Sequence, residues 1–513
     1  MLVKIFGSAV EGIIANPITI EVNISSGINF YLVGLPDNAV KESQQRIISA
    51  LTSNDFKWPG KRIVINMAPA DVRKEGASYD LPLAIGVLAA SEQINSDLLT
   101  DFIIMGELSL DGIVKPIKGA LPLAICAKQN NFKGIILPEE NVKEAAVVEG
   151  IEVYSVKHIN EIIDFLNGNA NALKKVEIDI EAEFNKVVGD LDIDFADVKG
   201  QENVKRALEV AAAGGHNIIL IGPPGSGKTM LAKRIPGILP PLSIDESIET
   251  TKIHSVAGQT EAGHSLILQR PFRSPHHTIS DVALVGGGTF PQPGEISLAH
   301  NGVLFLDELP EFKRSVLEVL RQPLEDRIIT ISRAKFTVEF PASLMLIASM
   351  NPCPCGYYNH PDKECTCSPG VVQKYLNKIS GPLLDRIDIH LEVTPVKFDK
   401  LSNVSPSEKS SEIQKRVVAA RKIQNERYKN KKNIYSNAQM NSKQIKEYCK
   451  LDDTCMALIK NAMEKLDLSA RAYDRIIKVS RTIADLDASE NIKAVHIAEA
   501  IHYRSLDKEN WGN

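Results

Sequence analysis

The chain has 513 residues, 44% of them hydrophobic, 24% charged and 5% aromatic, with 59 Lys+Arg against 64 Asp+Glu and a formal net charge of −5. That apolar share and the mixed charges exclude wholesale disorder, and the length predicts about three domains at ~150 residues each. A slightly acidic whole excludes nucleic-acid binding through bulk positive charge alone, while leaving room for a local basic surface.

The opening MLVKIFGSAVEGIIANPITIEVNIS is broken by Gly, Ser, Glu and Asn too often for the apolar core of a signal peptide. No run of 18 apolar residues follows it. A cytoplasmic chain without a membrane span is therefore expected. Residues 1–170 alternate strand-like runs (ITIEVNIS, RIVINMAP) with helical ones (NAVKESQQRIISAL, DLPLAIGVLAASEQI). Between Glu177 and Asp197 stand eight acidic residues and one base, Lys186, so 171–198 reads as an acidic, solvated linker.

From Lys199 the pattern becomes βα: the helix ENVKRALEVAAAGG, the buried strand HNIILIG, then a glycine loop and another helix. Gly222, Pro223, Pro224, Gly225, Ser226, Gly227, Lys228 and Thr229 match G-x-x-x-x-G-K-[ST] in the required strand–loop–helix setting. Backbone N–H groups of such a loop wrap phosphates, Lys228 would reach the β- and γ-phosphates of ATP, and Thr229 would ligate Mg²⁺. The apolar run GVLFL ends in Asp307 and Glu308. Phosphoryl transfer needs a metal-holding carboxylate and a water-orienting group, and these two residues fit those parts.

Cys353, Cys355, Cys365 and Cys367 form C-x-C-x9-C-x-C within the loop 353–367. Four thiolates suit a closed structural Zn²⁺ site, although His360 could replace one of them and a reduced-thiol turn is the alternative. Beyond 396 the sequence is helical and polar. Residues 415–432 there carry eight Lys/Arg against Glu426 alone, which reads either as a nucleic-acid face or as a solvated helix.

GPPGSGKTM, GVLFLDELPEF, ASMNPCPCGYY, SGPLLDRIDIH and LSARAYDRIIKVSRTIADL together resemble the AAA+ ATPases of the magnesium-chelatase-like group, of the ComM/YifB type, over essentially the whole chain. The resemblance implies an α/β protein with an AAA+ P-loop αβα core and parallel sheet over 199–395, followed by a helical lid over 396–513. It implies that Asn351 is sensor 1, that Arg386 is an arginine finger serving the neighbouring subunit's ATP, and that Arg471 is sensor 2. A finger acting in trans implies a homo-oligomeric ring, in this family a hexamer.

KEGASYDLPLAIGVLAAS with MGELSLDGIVKPIKGALPLAI resembles the proteolytic domain of Lon, a ribosomal S5 domain 2-like α+β fold, over 1–170. Ser78 stands at the position of the Lon nucleophile, but the position of its activating lysine is Leu121, with Lys118 three residues away. Leucine cannot activate a serine, so a non-proteolytic scaffold or DNA-handling domain is expected.

By resemblance, the function implied is an ATP-driven motor on DNA, a branch-migration helicase of natural transformation or recombination. The alternatives are a magnesium-chelatase motor subunit, an ATP-dependent protease, or a nucleotide-gated scaffold for recombination proteins. The DNA contacts expected are backbone ones, from the hairpin RIITISRAKFTVEF with Arg333 and Lys335, and from the loops holding Arg270, Arg273 and VGGGTFPQPGE.

Overall fold

The computed structural model describes residues 2–186, 193–260, 263–288, 291–333, 336–358, 360, 362–395, 407–429, 431, 434–466 and 468–504. The chain divides into two compact units, Met1–Val187 with Ile244–Leu268 and Pro291–Pro293, and Val188–Ser243 with Gln269–Phe290 and Gly294–Asn513.

The first unit is built on a mixed eight-stranded sheet. Its order is Lys174–Lys175, Glu152–Val156, Gly134–Pro138, Phe102–Ile104, Leu2–Glu11, Ile14–Ser25, Arg62–Ala68 and Phe30–Val33. Ile18, Ile20, Val22 and Ile24 lie two apart on the strand Ile14–Ser25, so all four reach one face and are buried. Ile5 on the antiparallel strand Leu2–Glu11 stands opposite Ile20. The helix Asp80–Ala90 is apolar all round apart from Asp80, and every one of its residues is buried. A helix with no polar face can only be a core helix. The helix ends at Ala90, short of the expected SEQI, because Ser91 caps it.

Asp80 is satisfied by Arg46, which donates to both carboxylate oxygens at 2.6 and 2.9 Å. The segment Ile244–Leu268 belongs to this unit although it falls in sequence between the glycine loop and Asp307. Its helix Ile244–Ala257 is tied in where the Gly119 N–H donates to the Ser255 carbonyl at 3.1 Å.

The second unit carries a five-stranded parallel sheet in the order Phe272–Arg273, Val303–Leu306, Met345–Met350, Ile218–Ile221 and Ile389–Glu392. The central strands are buried along their length, the signature of a sheet covered on both faces. The glycine loop leaves Ile218–Ile221, between strands reached by crossovers in opposite directions. Ligands of open α/β sheets bind at such a switch point, beyond the carboxyl ends of the strands.

The helices Ser410–Tyr428, Ser442–Tyr448, Asp453–Lys465, Ala470–Leu486 and Ala494–His502 make up the described part of the C-terminal region. Arg475 on Ala470–Leu486 donates to Asp388, fully buried at the foot of strand Ile389–Glu392, at 2.9 Å. His216 lies 3.4 Å from the same carboxylate.

Two expectations change here. The end of the acidic stretch is structural: Phe195 is fully buried, its N–H donates to Ser410 Oγ at 2.8 Å, and Arg234 pairs with Asp197 at 2.9 Å. The three arginines of the basic run 415–432 are spent on internal pairing. Arg416 pairs with Glu209 and Glu408, Arg421 donates to the Ala212 and Ala213 carbonyls, and Arg427 chelates Asp485 at 2.5 and 2.8 Å. The buried Glu209 and Asp485 on neighbouring helices claim Arg416 and Arg427, and backbone carbonyls claim Arg421, so these three arginines are structural while Lys415 and Lys429 stay exposed.

Candidate nucleotide site

Each part of the site sits at a strand end. Gly227 adopts φ +87° immediately before the helix Lys228–Arg234, a left-handed conformation that a side chain would strain. It turns the loop so that Lys228 folds back over it. Lys228 Nζ donates to the Gly222 and Pro223 carbonyls at 2.7 and 2.9 Å and to Asn351 Oδ1 at 3.2 Å. Two of the three ammonium donors are thus held within the loop and the third by Asn351. Burial pushes the ammonium below the usual lysine range, against the pull of Asp307 and Glu308. Thr229 Oγ1 donates to Asp307 Oδ2 at 2.7 Å, while Ser349 Oγ and the Glu308 N–H hold Oδ1. A hydroxyl beside a fixed carboxylate is a hard oxygen donor pair of the kind Mg²⁺ prefers.

Glu308 is 57% exposed and adopts φ +54°, a strained conformation for a residue with a side chain. The turn aims its carboxylate off the strand axis, where the His277 ring lies 3.9 Å away. That ring stacks on His276 with centroids 4.1 Å apart and meets the edge of Phe312 at 6.4 Å. The sequence offered this segment only as part of a loop expected to contact DNA, and nothing in the PHHT run signalled a partner for Glu308. Ser349 was missed likewise, being one small polar residue in an apolar strand.

Lys228, Thr229, Asp307 and Asn351 are thereby brought together. Arg386 and Arg471 lie outside that hydrogen-bonded group. Arg386 is buried, with Nη1 donating to the Pro382 carbonyl at 2.8 Å and Nη2 paired with Glu325. Arg471 is 61% exposed, and its nearest acid is Asp385 at 4.0 Å.

Cys353, Cys355, Cys365 and Cys367 have their four sulfurs within 4.8 Å of one another. Three of the separations are 3.3, 3.5 and 3.7 Å. Tetrahedral thiolate coordination at about 2.3 Å places sulfurs about 3.8 Å apart, so the cluster fits a metal. His360 does not complete it: its Nδ1 accepts the Asp362 and Lys363 N–H groups at 3.0 and 3.1 Å and caps a turn. The loop also touches the phosphate site. A Cβ on Gly356 would stand 2.5 Å from Pro224 Cδ, so only glycine allows this approach.

In the first unit, Leu121 is fully buried and its N–H donates to the Glu144 carboxylate at 2.9 Å. Ser78 lies in the short turn Ala77–Tyr79, its carbonyl accepting the Gly106 N–H at 2.9 Å. Of the expected DNA contacts, Arg333 ends the hairpin strand Ile328–Arg333, paired with Phe336–Pro341, and Lys335 lies outside the described residues. Arg270 and Arg273 already have internal partners. Arg270 is consumed by the Pro240 and Asn301 carbonyls at 2.6 Å each, and Arg273 by a two-pronged pair with Glu295, so both brace the sheet edge. Among the described residues no helix is long and apolar enough to cross a membrane.

Three family models match the chain. Residues 194–401 match magnesium chelatase, subunit ChlI; residues 20–141 match subunit ChlI of Mg-chelatase; residues 407–504 match magnesium chelatase, subunit ChlI C-terminal. Competence protein ComM of Haemophilus influenzae is 46% identical over 507 residues, 98% of either chain. Protein YifB of Escherichia coli is 44% identical over 502 residues, 98% of this chain and 96% of its own. Lon protease 2 of Bacillus subtilis is 33% identical over 125 residues, 24% of this chain and 22% of its own. With a full-length relative at this identity and family models over all three regions, the chain belongs to the ComM/YifB-type, magnesium-chelatase-like family.

Proposed function

We propose that the chain is an ATP-hydrolysing AAA+ ring motor, a hexamer of the cytoplasm that moves DNA branches during transformation or recombination. The observation that carries the ATPase reading is the convergence of Lys228, Thr229, Asp307 and Asn351 beyond the carboxyl ends of three neighbouring strands. Incoming β- and γ-phosphates would take over the Lys228 ammonium from the Gly222 and Pro223 carbonyls. Magnesium held by Thr229 and Asp307 would supply charge neutralisation for the phosphates. Glu308 orients the water that attacks the γ-phosphorus and takes up its proton. The bond to the leaving ADP oxygen breaks, and ADP and inorganic phosphate are released. Arg386 would complete the site of the neighbouring subunit, and Arg471 would serve as sensor 2 from the helical lid.

The four-cysteine loop would hold Zn²⁺ as a brace. A chelating cluster with no open ligand position and no acid or base within it suits structure rather than catalysis.

The DNA reading draws on the relative named competence protein ComM and on the hairpin Ile328–Arg333. The decisive assay is steady-state ATPase with and without forked DNA, beside a Lys228→Ala control. DNA stimulation that vanishes in Lys228→Ala supports the reading; ATPase indifferent to every DNA form counts against it. The second reading, a magnesium-chelatase motor subunit, is favoured by the names of the matched family models. It predicts metal insertion into protoporphyrin that depends on this chain.

A further inference from the structure

Arg386 is an arginine in an unusual state. Its side chain is 10% exposed, and its Nε is buried with no hydrogen-bond partner. Its backbone is fixed on both sides, the N–H by the Leu383 carbonyl at 3.0 Å and the carbonyl by Asn217 Nδ2 at 3.1 Å. The charge is balanced chiefly by Glu325, 55% exposed, on the short helix Pro323–Asp326. A buried guanidinium with an unmet donor is costly to keep, and it gains when a second anion arrives to share it.

We propose that Glu325 is a positioning residue that retains Arg386 within its own subunit, so that the neighbour's ATP must compete for the guanidinium. This rests on the proposed action of Arg386 in trans. Two anions then contend for one fork of donors: the Glu325 carboxylate in the resting state, and the γ-phosphate when the neighbouring site is filled. The acid is exposed enough for water to replace the arginine on it, so release leaves no buried carboxylate behind.

The test uses mixed rings. Lys228→Ala subunits keep an intact Arg386, and Arg386→Ala subunits keep an intact nucleotide site. Each alone is inactive, and the mixture regains ATPase at composite sites. Glu325→Gln placed on the Lys228→Ala subunit, the arginine donor, lowers half-saturating ATP about fivefold, the size of one partly exposed ion pair. The same substitution on the Arg386→Ala subunit changes nothing, and Glu325→Asp on the donor restores the original value. Glu325→Ser serves as a second variant if the glutamine form does not assemble.

A change of equal size from either subunit overturns the proposal, because a merely structural residue has no preferred subunit. No change from the donor overturns it as well. A mixture that stays inactive removes the trans role of Arg386, and the proposal falls with it.

Discussion

At Asp307 and Glu308 the chain places two carboxylates side by side and gives them different surroundings. Asp307 is locked by Thr229, Ser349 and a backbone N–H, whereas Glu308 projects free beside His277. A locked carboxylate suits a metal, and a free one suits a water. Glu308→Gln therefore keeps ATP binding and lowers kcat by about 10²–10⁴-fold, the range for loss of a general base. Binding of a fluorescent ATP analogue beside turnover measures both. His277 acts on Glu308 across 3.9 Å, a weak pair at a half-open surface. His277→Ala accordingly lowers kcat about fivefold or less and leaves KM for ATP unchanged. A raised KM with unchanged kcat would place His277 at the nucleotide instead. At this scale the sequence revealed the glycine loop and the acidic pair, because each is contiguous. It concealed His277 and Glu325, whose partners lie 31 and 61 residues away and carry no local signature.

Among the elements, two junctions hold the site. The first is the cysteine loop, whose Gly356 rests on Pro224 of the phosphate loop. Metal analysis should find one Zn²⁺ per chain. Its removal by a chelator, or Cys365→Ser, should raise KM for ATP by roughly 2- to 30-fold, the span of a typical coupling through packed contacts. Unchanged KM in zinc-free protein would show that the contact transmits nothing. The second junction ties the helix Ala470–Leu486 to the sheet through Arg475 and Asp388. Burial alone would push the Asp388 carboxyl up, but Arg475, His216 and Lys478 outweigh it and hold it well below its ordinary 3.8. A depressed carboxylate lends stability that is complete above its unfolded value and is lost as pH falls through the folded one. Denaturant midpoints should therefore drop on acidification below about pH 4. Asp388→Asn, which strands a buried cation, should cost about 3–5 kcal/mol at neutral pH. Strands and helices were legible from their periodicity. The destinations of Arg416, Arg421 and Arg427 were not, since a run of bases looks the same whether it faces solvent or buried acids on other helices.

For the whole molecule, the near-neutral charge sum conceals this internal pairing. Arg416 and Arg427 of the basic run are already matched by Glu209, Glu408 and Asp485. On the proposed DNA reading, these two arginines would not be among the phosphate contacts. On that reading the DNA binding constant should fall between 50 and 200 mM salt, with a log–log slope near −0.9 for each phosphate neutralised, and Arg416→Ala or Arg427→Ala should leave that slope unchanged. In the Lon-like unit a buried Leu121 stands where an amine would be needed, so casein cleavage by the chain is not expected. The central claim is that one nucleotide site of this geometry drives movement on DNA. Its most direct test is branch migration of a labelled four-way junction with ATP, using the wild-type chain and Glu308→Gln in parallel. The account predicts migration by the wild type and none by Glu308→Gln, which still binds the junction. Migration that persists in Glu308→Gln, or a wild type that hydrolyses ATP yet leaves the junction unmoved, would contradict it.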